Sequence, residues 1–73
     1  MTYISIEIFK TSVSNQRASE EILNLLNISF PHLKINFDLD DCDKILRIQG
    51  HSFCSTSIIE ILSNMGHHCE RIE

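Results

Sequence analysis

The sequence predicts an α+β sandwich, a four-stranded antiparallel sheet with two helices on one face, and three observations predict it. Leu33, Ile35, Phe37 and Leu39 alternate with Lys34, Asn36 and Asp38, the period-2 pattern of a strand with one wet and one buried face. The short polar run Asp40, Asp41, Cys42, Asp43 then leads into a second strand over 44–49, so the two fold back as a hairpin. Finally, one apolar stripe at helical spacing precedes the hairpin and another follows it.

Residues 2–10 form the first expected strand, with Ile4, Ile6 and Ile8 on one face and Tyr3, Ser5, Glu7 and Phe9 on the other. From residue 11 the period lengthens, and Ala18, Ile22, Leu25 and Leu26 make a helical stripe. Ser14 is the expected N-cap, with Val13 and Ala18 as a hydrophobic staple. Pro31 pushes Phe30 out of helical geometry and ends the helix near Ile28. Beyond the hairpin, Gly50, His51 and Ser52 form a turn. Ser52 or Ser55 then caps a helix whose inner face carries Ile58, Ile61, Leu62 and Met65, and Gly66 closes it. Residues 67–72 form a last strand with two open face assignments: Cys69 inward sends Ile72 outward unless a bulge intervenes, whereas Ile72 inward brings His68 and Glu70 with it. With right-handed crossovers, this order closes as a ferredoxin-like βαββαβ fold. Turns 11–14, 40–43 and 66–68 then share one end of the sheet, with His51 and Cys54 at the other, so a site is expected at the first end.

Seventy-three residues at 42% hydrophobic and 22% charged describe one ordinary globular domain with a thin core. Ten acids against six dispersed bases give a net charge of -4, which argues against nucleic acid, whose phosphates need clustered cations. No apolar run reaches the roughly eighteen residues of a membrane span, and the N-terminus alternates as a strand instead of opening on a basic and then an apolar region. The expected location is cytoplasmic. Cys42, Cys54 and Cys69 are an odd number, which is not how a small secreted domain is stapled, so reduced thiols are expected.

The element order, the stripe Ala18, Ile22, Leu25, Leu26, the polar hairpin and Gly66-His67 before the last strand resemble the heavy-metal-associated domains of copper chaperones and metal-pumping ATPases. The resemblance covers nearly the whole chain. It implies the same fold, and in that family a C-x-x-C pair in the first turn clamps a soft cation between two thiolates. Those two positions fall here on Thr11 and Ser14 of Thr11-Ser12-Val13-Ser14, whose hydroxyls are poor ligands for copper(I). His67 matches the residue that lies beside the family's metal loop.

Candidate metal ligands at the loop end are Cys42, His67 and Cys69, with His68 pointing to the opposite face from His67 and Cys69. A mixed thiolate and imidazole set suits zinc or copper(I). The plainer reading of Cys69 is a small buried hydrophobe. The acidic turn lacks the glycine and the final glutamate of a calcium loop and reads as a solvated turn, at most a docking knob. Cys54, near the start of the second helix, is a candidate reactive thiol with no base placed by spacing. An RNA-recognition surface is excluded, because the third strand reads K-I-L-R-I-Q without the necessary aromatics. On the open sheet face Tyr3, Phe9 and Ile45, with Glu7 and Arg47 among them, form a partly apolar patch for a protein partner or for self-association. No nucleophile and base arrangement or phosphate-cradling loop points to an enzyme. The expected function is a metal-associated-type domain with a degenerate site. The alternative is a metal-independent interaction module using the open face.

Overall fold

A computed structural model describes residues 4–39, 44–51 and 53–72, and in it the expected order is realised as β1 (Ser5–Thr11), α1 (Gln16–Ser29), β2 (Lys34–Asp38), β3 (Ile45–Gly50), α2 (Ser55–Asn64) and β4 (Cys69–Ile72). The strands pair antiparallel in the order β2-β3-β1-β4, which is the ferredoxin-like arrangement, with β2 and β4 as the two edges. Both helices lie on one face, and Ile22 and Leu26 of α1 join Ile58 and Leu62 of α2 in the core.

α1 begins one residue later than the sequence suggests. Asn15, not Ser14, is its N-cap, and the side-chain oxygen of Asn15 accepts a hydrogen bond of 2.8 Å from the Ala18 amide. The inward stripe is consequently Ser19, Ile22 and Leu26, while Leu25 is left at its margin, 38% exposed. Buried Ser19 is satisfied by donating its hydroxyl to the Gln16 carbonyl at 2.7 Å. At the other end of the sequence, α2 stops in a Schellman turn: Gly66 (φ +87°) donates to the Ser63 carbonyl and His67 to that of Leu62. β3 ends on Gly50 for a different reason, since a Cβ there would run into the Leu33 side chain.

β1 faces the other way from the sequence expectation. Phe9 is fully buried, whereas Ile4 and Ile6 are 58% and 51% exposed, so Phe9 belongs to the core and not to the open-face patch. The physical reason is register. Phe9 lies opposite Leu46 and Glu7 opposite Ile48, and those two β3 residues are the ones that point at the helices. Thr11 and Val13 continue the inward parity into the turn, and both are buried. The open question about β4 is settled on the same grounds. Cys69 faces inward opposite Thr11, and Ile72 faces outward opposite Ile8.

With this parity, Phe9→Ala lowers stability in urea unfolding by roughly 3–5 kcal/mol. Ile6→Ala costs less than about 1 kcal/mol. The reverse ranking would put the isoleucines in the core.

Candidate functional site: the loop end and the open sheet face

At the loop end three segments meet through hydrogen bonds. Lys44 leaves the hairpin with a φ of +50°, a left-handed conformation uncommon for a side chain of this size, and its carbonyl accepts from both the Thr11 amide (3.2 Å) and the Thr11 hydroxyl (2.7 Å). The Thr11 hydroxyl oxygen in turn accepts from the Val13 amide at 3.3 Å. Ser12 binds the last turn twice, its amide donating to the His68 carbonyl at 3.1 Å and its hydroxyl accepting from the His68 amide at 2.8 Å. Across the hairpin the Lys44 ammonium donates to the Leu39 carbonyl at 3.1 Å. The loop is thus closed by backbone and hydroxyl groups.

The predicted metal ligands do not converge among the described residues. Cys42 lies outside them, together with the other residues of the acidic turn and Tyr3. His67 is half-buried. Cys69 is in the core, where burial pushes its thiol up to about 11, so it is a neutral SH group at physiological pH and a weak ligand. His68 is exposed on the other face, its Nε2 3.6 Å from a Glu70 carboxylate oxygen. Among the described residues no group of three or more histidine, cysteine, aspartate or glutamate side chains could hold a metal ion.

Cys54, at the opposite end, is fully exposed at the N-cap of α2. Its pKa is lowered, chiefly by the backbone amide of Ser57 and then by that of Thr56, both in the first turn of the helix. The groups that lower it are amides and hydroxyls, with no charged side chain among them.

The open face is the larger feature. Ile6 and Ile8 run along β1, next to the centre of the sheet, with exposed Ile4 just before the strand, and Ile72 of β4 lies directly opposite Ile8. Ile45 is on this face as expected, half-buried, opposite Lys10 and Asp38 on its two neighbours. Arg47 is exposed opposite Ile8 and Asn36, and Lys10 faces Glu70, so charges border the isoleucine stripe. A hollow of about 390 Å³ opens beside it, lined by Ile8, Asn36, Phe37, Asp38, Ile45 and Arg47. At the far end of β1, Glu7 turns to the helix side. One of its carboxylate oxygens is buried without a hydrogen bond, 3.6 Å from the Arg71 guanidinium, an ion-pair distance that is too long for a hydrogen bond.

Sequence reasoning found the face and placed Ile45 and Arg47 on it, left Ile72 open between two assignments, and put Phe9 and Glu7 where Ile6 and Ile8 stand. Ile6 and Ile8 were hidden because counting apolar side chains assigns three isoleucines to one buried face. The signal that corrects this is the inward run Phe9, Thr11, Val13 entering the turn. Among the described residues no helix is long and apolar enough to cross a membrane. No family model, curated protein or solved structure matches the chain.

The two described thiols differ in a way that alkylation reads directly. Because the lowered pKa of Cys54 leaves more thiolate at a given pH, iodoacetamide labelling of Cys54 rises at a lower pH than that of an unstructured cysteine. Cys69, buried and held protonated up to about pH 11, stays unlabelled at neutral pH until the protein is unfolded. Mass spectrometry of the labelled peptides checks both.

Proposed function

We propose that this is a non-enzymatic binding domain that holds a second protein against the open face of its sheet. The observation that carries the reading is the row of outward isoleucines on β1, continued by Ile72, in a fold whose helices cover only the other face. An apolar centre bordered by Lys10, Glu70, Arg47 and Asp38 has the anatomy of a recognition surface. The partner chemistry that fits is an apolar protein surface with a carboxylate placed for Arg47. Weak binding of zinc or copper(I) by Cys42, His67 and Cys69 has less support, since Cys69 is inside and protonated. The resemblance to heavy-metal-associated domains accords with a fold kept without its cation clamp, the hydroxyl of Thr11 at the first clamp position being engaged in closing the loop.

A photo-crosslinking residue placed at Ile6 and, separately, at Ile28 tests this in cells expressing the protein. Ile28 on α1 is the more exposed of the two, 78% against 51%, so random encounter favours position 28. The expected result is a discrete adduct from position 6, lost when Ile72 is changed to Glu, and none from position 28. Equal or stronger labelling from position 28 overturns the reading.

A further inference from the structure

Among the described residues the outer strand β2 pairs with β3 alone and ends the sheet, so half of its backbone amides and carbonyls face outward, available to another strand. Its side chains are self-complementary about Asn36. Laid antiparallel on itself with Asn36 opposite Asn36, the stretch 33–39 sets Lys34 against Asp38, Ile35 against Phe37 and Leu33 against Leu39, with each pair occurring twice. We propose that the chain associates with a second copy of itself through this edge, as a two-fold antiparallel β2 to β2 pair.

Register supports the pairing independently of charge. In a strand, amides point alternately to its two sides, so an antiparallel edge contact requires outward-pointing residues to meet outward-pointing residues. Partners whose numbers sum to 72 always share that parity. The two neighbouring registers of the same parity lose the charge match: Ile35 on Ile35 leaves Lys34 opposite Asn36, and Phe37 on Phe37 sets Asn36 opposite Asp38. Lys34, Asn36 and Asp38 are exposed on the open face, and among the described residues neither Lys34 nor Asp38 enters an ion pair. Ile35 and Phe37 are half-buried on the helix side, where a groove of about 320 Å³ runs between β2 and α1 past Leu23 and Leu39. The partner's Phe37 and Ile35 extend over that groove.

A two-fold axis normal to the sheet keeps both open faces on the same side and makes one eight-stranded sheet. The two β1 strands then lie five strand spacings apart, roughly 24 Å. Where the open face binds as proposed above, the dimer presents two isoleucine stripes side by side. An edge of this length is small for an interface, so the expected Kd is in the range of roughly 10–100 µM.

Sedimentation equilibrium on the full chain from roughly 1 µM to 1 mM tests the proposal. The expected result is a monomer and dimer equilibrium in which Lys34→Asp and Asp38→Lys each weaken association at least about tenfold, because either change places like charges at both symmetric positions. An equimolar mixture of the two variants forms a heterodimer, and the double variant recovers self-association. Ile6→Glu leaves the equilibrium unchanged, which separates this contact from the open face. A wild-type chain that stays monomeric throughout, single variants that dimerise like it, a mixture that stays monomeric, or loss of dimer in Ile6→Glu would each overturn the edge contact.

Discussion

Phe9 faces Leu46 across the β1 to β3 ladder and is fully buried, and because side chains alternate along a strand this one contact commits the whole of β1. Thr11 must then point inward beside Cys69, and Ile6 and Ile8 must point away from the helices. The inward Thr11 hydroxyl is what reaches the Lys44 carbonyl, and the inward Cys69 is what loses its thiolate to burial. Reversing the parity would put a phenylalanine in water and three isoleucines under the helices, but it would also expose Val13 and undo the junction of the three turns. The aromatic ring and the turn outweigh the isoleucine count.

That junction bears on the chemistry at the loop end. A thiolate clamp needs side chains that are free to point at a cation, whereas Thr11, at the first clamp position, both donates and accepts within the protein, and Ser12 beside it ties the same turn to the last one. Each neutral hydrogen bond of this kind contributes about 1 kcal/mol, and together they fix the ends of β1, β3 and β4 relative to one another. A Lys44 residue held at positive φ belongs to the same arrangement, since its left-handed backbone accompanies the carbonyl that Thr11 uses twice.

Much of the architecture was legible in the sequence. The alternation of 33–39, the stripe Ile58, Leu62 and the glycine at 66 each carry a local signal strong enough to survive tertiary context, and each appears in its expected element. The α1 start was displaced by one residue because Ser14 and Asn15 are both good caps and local preference does not rank them. The candidate site was less legible. A residue pattern of period 2 says that two faces differ without saying which is inside, and for β1 the deciding contacts come from β3 and from the turn, far away in sequence or hidden in an irregular segment. The self-complementarity of 33–39 is visible in the letters alone, yet it has meaning only once topology places β2 at an edge instead of between two neighbours.

The two edges of the sheet differ in a way that favours a closed pair over a growing one. For β2, one of the registers that align outward amides, the one centred on Asn36, also matches Lys34 with Asp38. For β4 the two requirements conflict: pairing Glu70 with Arg71 of another copy needs partner numbers that sum to an odd value, which mismatches both the amides and the faces. Of the registers that do align its amides, the two that overlap most of the strand set Glu70 on Glu70 or Arg71 on Arg71, with like charges meeting at the centre. Were both edges adhesive to their own kind, copies would add edge to edge without limit. With β2 the better matched of the two edges, the association proposed for it uses up its own binding edge and stops at two chains, leaving the isoleucine faces of both copies open on one side.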